Sequence, residues 1–385
     1  MWQKCFKLCL VSVLLSGCSA YSTAPPERPN QAPLVLPAQW LNDSRIEQAY
    51  FPDPQPSGLT FWNGQLVSIS DASAAEQNRR RLHFIAPTTA RVTFSETYSI
   101  SPDLATSCFT EYLTVRPDLE ALAKDPLQDN TFITVTEDAS RFANYSPECA
   151  QQYQASGSTA FPTVLVRLQY DNLTNSLMVI GVRAVQFDPK DNIGNSPNDG
   201  IEGLVATAST LYLGLEKDNN NQAQLFTIDY SSGFWERDEF AKAKNKHVNF
   251  PNYDLNRPNP INAIELFQWR GKTWLIAAAR NDNELWWVDL TDFSLPIYRT
   301  EIRYRLANPG GCAEYEFLDN ASIEGIAVSE DQLYLVNDPW KRNYAKNIQC
   351  DAWGEAYEAF APQLYQIDLT TAWEHTQPII PSRVE

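Results

Sequence analysis

Apolar and polar positions repeat along this chain in short units. Each unit has an apolar run, a tight polar turn, a second apolar run and then an alternating run that ends near Asp. The clearest copies are Ile201–Glu216 (IEGLVATASTLYLGLE) and Ile323–Asp338 (IEGIAVSEDQLYLVND), in which nine positions separate the Glu from the Leu that opens LYL. Such a unit is typical of one radial β-sheet blade, so the pattern predicts a β-propeller.

Three further units follow the same pattern. Ser57 stands nine positions before Leu66, and Glu265 stands nine before Trp274. A start at 109–113 (FTEYL) gives a fifth unit, in which 117–130 is predicted to be an insertion with a short helix over DLEALAKD. The sequence count is therefore five blades. The segment 176–187 adds strand pattern without a clear start for a sixth.

The N-terminal segment is predicted to be a lipoprotein signal peptide. Lys4 and Lys7 precede an apolar run at 8–15, and the tetrapeptide LSGC ends at Cys18, which the bacterial lipobox would lipidate. A plain cleaved signal peptide is the alternative. Ser19 after the Cys indicates the outer membrane of the cell envelope. A Pro-rich tether would then span 18–44.

Composition agrees with one all-β domain. The chain has 385 residues, 12% aromatic residues and 25 prolines. We assign 1–17 to the signal peptide, 45–372 to the propeller and 373–385 to a C-terminal tail. Because the two chain ends commonly complete one blade together, we expect 45–51 to pair near 364–369. The net charge of −17 argues against nucleic acid as a partner. We expect a monomer.

The cysteines predict two disulfides. Four cysteines remain after the signal peptide and Cys18, and an exported chain is oxidised. Three pairings are possible, and we favour Cys108–Cys149 and Cys312–Cys350 because each would close an insertion. A metal site made of these cysteines is disfavoured, since the chain has no Cys-x-x-Cys.

Acidic residues recur at the blade starts. In a propeller the first strand of each blade lies nearest the axis, so these side chains would converge; they are Glu111, Glu202, Glu265 and Glu324. The second-strand ends add Asp71, Glu137, Glu216, Arg280, Asn337 and Asp338. An oxygen-rich ring suits Ca²⁺ better than Zn²⁺. Alternatively, the acids bond backbone amides of neighbouring blades and only hold the ring together.

The Glu-Gly starts at Glu202 and Glu324, and the Asn-Asp end at Asn337 and Asp338, resemble the six-bladed propellers of the esterase-like phytase family. They are more distantly similar to the gluconolactonase and paraoxonase group. The resemblance implies six blades and a catalytic Ca²⁺ that polarises an ester or phosphoester oxygen. Ser57 and Arg280 depart from this pattern, since acids would be expected there.

Two functions follow from this sequence. The first is a Ca²⁺-assisted hydrolase of a small ester or phosphoester, with Glu202 and Glu324 as candidate catalytic residues. Its candidate metal ligands are Glu111, Glu202, Glu265, Glu324, Asn337 and Asp338. The second is a non-catalytic propeller, anchored to the membrane through lipid on Cys18, that binds a protein or glycan of the envelope.

Overall fold

The structure is a computed structural model that describes residues 32–44, 50–137, 146–158, 162–193, 200–253 and 257–379. The predicted signal peptide, Cys18 and the first part of the predicted tether lie outside these residues. In the described ranges, no helix combines the length and the hydropathy needed to cross a membrane.

Strands dominate the fold. In chain order they are β1 (Leu34–Trp40), β2 (Asn42–Asp43), β3 (Pro56–Trp62), β4 (Gln65–Ser70), β5 (Arg81–Ala86), β6 (Arg91–Ile100), β7 (Leu119–Lys124), β8 (Thr131–Thr136), β9 (Val164–Asp171), β10 (Ser176–Gln186), β11 (Ile201–Ala206), β12 (Thr210–Leu215), β13 (Gln224–Asp229), β14 (Ala241–Lys242), β15 (Lys244–Asn245), β16 (Ala263–Trp269), β17 (Lys272–Ala279), β18 (Glu284–Asp289), β19 (Tyr298–Ala307), β20 (Tyr315–Phe317), β21 (Ile323–Ser329), β22 (Gln332–Asn337), β23 (Gln363–Asp368) and β24 (Gln377–Pro378). The α-helices are α1 (Thr110–Val115), α2 (Pro147–Tyr153), α3 (Gly354–Glu358) and α4 (Leu369–Glu374).

The strands build five antiparallel blades around one axis. From inner to outer strand, the blades are β3-β4-β5-β6, β7-β8-β9-β10, β11-β12-β13-β15, β16-β17-β18-β19 and β21-β22-β23-β1. The inner strands pack in a closed ring, from β3 through β7, β11, β16 and β21 back to β3. The all-β propeller and the five blades counted from the sequence are confirmed. The sixth blade expected from the resemblance is not found in the described ranges, and 176–187 supplies the outer strand of the second blade.

The core consists of five apolar clusters, one at each interface between neighbouring blades. Successive side chains of a strand point to opposite faces, and both faces of a blade are covered by its neighbours. Trp286 packs toward the third blade, whereas Trp287 packs toward the fifth, and both are fully buried. This two-sided burial explains why the strands contain continuous apolar runs.

Both predicted disulfides are present. Cys108 and Cys149 lie with their Cα atoms 5.7 Å apart, and Cys312 and Cys350 have Cα atoms 5.8 Å apart. The first joins the segment before α1 to α2. The second joins the turn after β19 to the long segment between β22 and β23.

The fifth blade is closed by an earlier segment than predicted. Strand β1, from the predicted tether, pairs antiparallel with β23, with Ala38 opposite Tyr365. Its other edge pairs in parallel with β19 of the fourth blade. Leu34 and Leu36 are buried in the cluster between the fourth and fifth blades, which explains why this stretch forms a strand despite Pro37. The N-terminal and C-terminal parts of the chain therefore close one blade together, as expected. The segment predicted to do so is 45–51, of which 45–49 lies outside the described residues.

The second blade begins later than predicted. The segment LEALAK is the inner strand β7 and not a helix, although Leu, Glu, Ala and Lys favour helices. Five of its six residues are buried between neighbouring inner strands, and burial outweighs the local preference. The predicted start of this blade, 109–113, falls almost entirely in the short helix α1 (Thr110–Val115) instead.

Candidate functional site

One end of the propeller axis holds a polar cavity of about 420 Å³, hereafter the acidic cavity. The starts of inner strands and the ends of second strands form its floor, and the segment after β22 forms part of its rim. Its acidic lining residues are Asp71, Asp118, Glu120, Glu137, Glu202, Glu324 and Asp338. In the described part of the chain, no His or Cys lines it.

One equivalent position near the start of each inner strand, hereafter the floor position, is occupied by Ser57, Glu120, Glu202, Asn262 or Glu324, and each is followed by Gly or Ala and then Leu or Ile. Glu120, Glu202 and Glu324 line the acidic cavity, whereas Ser57 and Asn262 are fully buried outside its lining. Small residues are required there because the inner strands approach closely: a Cβ on Gly325 would lie 2.8 Å from the Cβ of Leu59. In four blades the strand pairing is interrupted by a β-bulge at this position. Bulges re-aim a side chain, which accounts for the turn of these residues toward the axis.

The second set of side chains follows the second strand of each blade. These residues are Asp71, Glu137, Glu216, Arg280 and Asp338, as the repeat predicts. Asp71 and Glu137 are held by backbone amides: Ala74 N–H donates to Asp71 over 3.0 Å, and Gly200 N–H donates to Glu137 over 3.0 Å. The two sets together bring acids from four blades to one cavity.

Arg280 supplies a positive charge to two of these carboxylates, Glu216 and Glu324. Its Nη2 donates to Glu216 Oε1 over 3.1 Å, and its Nη1 donates to Glu324 Oε1. Lys217 also pairs with Glu216, over 3.0 Å. Burial alone would lower the pKa of Arg280, but the surrounding carboxylates, led by Glu324 and Glu216, raise it overall. The guanidinium therefore stays charged.

Two other carboxylates of the cavity have no described cation in direct contact, although the charge of Arg280 acts against the rise in the pKa of Glu202. Glu120 and Glu202 are about 95% and 94% buried, and neither has a hydrogen-bond or ion-pair partner among the described residues. Carboxylate oxygens of Asp118, Glu120 and Glu137 lie within 4.8 Å of one another, and those of Glu137, Glu202 and Glu216 do the same. Glu137 thus belongs to two carboxylate groups that share one edge of the cavity.

The environment disfavours negative charge on these acids. Burial, followed by the charge of Asp118, raises the pKa of Asp71 to about 8. Burial also raises the pKa of Glu120, which lies beside Glu202, and that of Glu202, which lies beside Glu137. For Asp338 the causes are burial and then Glu324, and its Oδ1 is buried without a hydrogen-bond partner in the described structure. A cation in the cavity would reverse these shifts.

Basic and aromatic side chains stand at the rim. Lys341 Nζ donates to Asp53 Oδ2 over 2.7 Å and to the carbonyl of Ser73 over 2.6 Å, which joins the fifth blade to the first. Arg342 is exposed beside it, and Trp340 is 47% exposed. Arg116 also lines the cavity and donates to the carbonyl of Ala72 over 2.9 Å, next to the Ser73 carbonyl that Lys341 contacts. The cavity is therefore acidic at its floor and basic at its rim.

The structure brings together only some of the site residues predicted from the sequence. Glu202, Glu324 and Asp338 line the acidic cavity. Glu111 does not, because it lies exposed on α1. Glu265 lies on β16 three residues beyond the floor position, which Asn262 occupies, and accepts a 2.8 Å hydrogen bond from the N–H of Leu266.

Asn337 is fully buried beside the cavity, and its Oδ1 accepts from Gln363 N–H over 2.6 Å. Its oxygen therefore holds β22 to β23.

Sequence reasoning missed Glu120 and Asp118. The signal that could have found Glu120 is the triplet Glu-Ala-Leu, which matches Glu-Gly-Leu at 202–204 once Ala is accepted as the small residue. The helical composition of LEALAK concealed it. Asp118 has no counterpart at this spacing in the other blades, so no repeat pointed to it.

The sequence matches no protein-family model and no curated protein. Among solved structures, the chain is similar to a GH43_1 enzyme from Xanthomonas citri, with 9% identity, a TM-score of 0.44 and coverage of 89% of this chain and 94% of that chain. It is also similar to the catalytic domain of the GH62 α-L-arabinofuranosidase of Coprinopsis cinerea, with 14% identity, a TM-score of 0.43 and coverage of 88% and 98%. A third similarity, to the allergen Mala s 1 of Malassezia sympodialis, has 10% identity, a TM-score of 0.39 and coverage of 81% and 77%. At these values the comparisons assign no activity to this chain.

Proposed function

We propose that the acidic cavity binds a hard divalent cation such as Ca²⁺ and hydrolyses anionic phosphoesters with its help. The observation that carries this proposal is the pair of buried carboxylates, Glu120 and Glu202, that have no protein partner in the described structure. An ionised carboxylate is rarely buried unless it is paired or coordinates a metal. The donor set is made of carboxylates, which favours Ca²⁺ or Mg²⁺ over Zn²⁺.

The residues present fit one such ion. Glu137, which belongs to both close groups, would hold it together with Glu120 from the first group and Glu202 from the second, with Asp118 and Glu216 beside them. When bound, the ion would supply a Lewis acid that polarises a phosphoryl or carbonyl oxygen. This ligand set retains Glu202 of the sequence prediction and replaces Glu111, Glu265, Glu324, Asn337 and Asp338.

The chain supplies the remaining parts of a hydrolase. Lys341, Arg342 and Arg116 at the rim would attract and orient a phosphoester, because a basic entrance draws anions toward an acidic floor that would otherwise repel them. Asp338, which lines the cavity, would accept the proton of the attacking water. The water oxygen would bond to phosphorus as the ester oxygen leaves. Glu324 holds Arg280 in this scheme and would act through it.

The N-terminal sequence supports an envelope location for this activity. The lipobox at Cys18 would tether the propeller to the outer membrane, as the sequence predicts. The substrate or partner would therefore be found in the periplasm or elsewhere in the envelope.

Calcium titration by calorimetry tests the cation site. The purified, chelator-treated protein should bind Ca²⁺, and Glu120→Gln should weaken binding by at least about tenfold because an anionic ligand is lost. Glu265→Gln is the matched control, since it removes a partly buried inner-strand carboxylate that does not line the cavity. Equal loss in both variants would show that the effect comes from the fold. No heat in the wild type would rule out the site.

Phosphatase assays test the activity. With p-nitrophenyl phosphate and bis(p-nitrophenyl) phosphate, turnover should require Ca²⁺ and fall by about 10²-fold or more in Asp338→Asn while Ca²⁺ affinity is kept. Calcium binding without turnover of these phosphoesters or of p-nitrophenyl acetate would indicate a non-catalytic binding propeller.

A further inference from the structure

Arg280 is the one basic residue at a position where the other four blades place an acid. The five residues that directly follow the second strands are Asp71, Glu137, Glu216, Arg280 and Asp338. The blade repeat brings all five toward the same end of the axis, so Arg280 is a cation set into a ring of anions. The substitution of one acid by a cation changes the charge of this ring by two.

The surroundings of Arg280 match those expected around a bound ion. Glu216 and Glu324 contact its two terminal nitrogens, and Glu202 and Asp338 are the next nearest charges. Two of its five N–H groups are used in these bonds. The side chain is 23% exposed and lines the cavity, so part of the guanidinium faces the space where a substrate would enter.

The carboxylates thus fall into two groups. Glu216 and Glu324 are already paired with Arg280, whereas Glu120 and Glu202 have no partner among the described residues. Glu202 and Glu216 belong to one close carboxylate cluster with Glu137, so a carboxylate paired with Arg280 lies next to one without a partner. Two neighbouring acidic groups in one cavity are the arrangement of a two-metal site, where paired ions hold the attacking and leaving oxygens.

We propose that Arg280 takes the place of a second metal ion, so that the cavity binds one divalent cation and uses the guanidinium as its partner charge. This inference rests on the proposed cation site. The ion would lie by Glu120 and Glu202, and Arg280 would stand across from it, with its remaining N–H groups directed at a substrate oxygen. A planar guanidinium can donate two parallel hydrogen bonds to a phosphoryl group, so the pair selects a dianionic or monoanionic phosphoester over a neutral ester.

Binding stoichiometry tests this inference. Calorimetric titration with Ca²⁺ should give one ion per chain for the wild type and two for Arg280→Gln. Glu324 and the Oε1 of Glu216 would lose Arg280 and form a second site, while Lys217 stays on the Oε2 of Glu216. Arg280→Lys should stay at one ion, since it keeps the charge. Arg167→Gln is the control for loss of a part-buried ion pair elsewhere, here with Asp125 at 2.7 Å, and should also bind one ion.

The outcomes separate the two proposals. A wild type that binds no ion overturns the proposed function and this inference together. A wild type that binds two ions, or an Arg280→Gln variant that still binds one, overturns only the role of Arg280. If Arg280→Gln is unfolded in chelator, Ca²⁺ should restore its circular dichroism spectrum, because a second ion would neutralise Glu216 and Glu324. Failure of Ca²⁺ to restore it counts against the inference.

Discussion

At the scale of single residues, Glu265 shows that a carboxyl group can have a raised pKa without lying in the candidate site. It lies on an inner strand, and burial raises its pKa to about 8 even though the N–H groups of Leu266 and Val328 stabilise its charge. It nevertheless lies outside the lining of the acidic cavity. A perturbed carboxyl therefore does not by itself mark the site, and the absence of a partner at Glu120 and Glu202 is the more specific observation.

Glu265 makes stability depend on pH. Because its folded pKa is above its unfolded value, the folded chain holds this proton over a window from about pH 4.5 to about 8, and stability falls as pH rises through that window. Glu265→Gln should flatten this dependence, by at most about 5 kcal/mol at the alkaline end. Urea unfolding at acid and alkaline pH measures it. Parallel curves for variant and wild type would contradict the expectation.

Residue types at the cavity were predictable only where the repeat was visible. Glu202, Glu324 and the second-strand ends follow from a spacing of nine positions, because two copies share the Ile-Glu-Gly start and the Leu-Tyr-Leu run. Glu120 sits in a segment whose local preference is helical, so its role depends on neighbours that local sequence does not reveal. The ion pairs of Arg280 join three blades and could not be derived from any one of them.

At the scale of elements, close approach of the inner strands limits the residue after each floor position. A Cβ on Gly58 would lie 2.8 Å from the carbonyl carbon and 2.9 Å from the Cα of Ala121. Backbone atoms cannot rotate away as a side chain can. The alternation of a polar floor residue with Gly or Ala is thus a packing requirement of the ring.

Gly58→Ala should therefore destabilise the protein by about 2–3 kcal/mol through overpacking. Gly354→Ala is the control, because a Cβ at Gly354 would meet no atom within 4 Å and the residue begins α3. We expect the control to be neutral or slightly stabilising. The free energy of unfolding in urea is the measurement, and equal values for the two variants would argue against the packing account.

Element boundaries were predicted where a strand's pattern is unambiguous. The second and third strands of the first, third, fourth and fifth blades follow the alternating and apolar runs closely. Strand β1 contains Pro37 and resembles a tether locally, and its pairing with β23 and β19 comes from residues hundreds of positions away. Long-range pairing of this kind leaves no local pattern.

At the scale of the whole molecule, the acidic cavity should couple pH and cations to stability. Burial and mutual repulsion raise the pKa values of Asp71, Glu120, Glu137, Glu202 and Asp338. The folded state then holds more protons than the unfolded chain at neutral pH, so stability falls as pH rises from an ordinary carboxyl pKa toward about 8, the value for Asp71.

In chelator, we therefore expect the melting temperature to fall as the pH rises from about 5 to about 8. Millimolar Ca²⁺ should raise the melting temperature most at the alkaline end of this range. Mg²⁺ and NaCl of matched ionic strength distinguish binding from screening. A melting temperature that is flat with pH, or a Ca²⁺ effect that NaCl reproduces, would refute this coupling.

The double pairing of β1 has a consequence for the order in which the protein assembles. This strand is the first of the described strands along the chain, yet its neighbours β19 and β23 are among the last. During synthesis β1 therefore has no partner strand until four blades have been made. Until it pairs, the edges of β19 and β23 that it covers are exposed to other chains. The earliest strand is the last to be placed, so ring closure is the step at which folding and aggregation of this propeller compete.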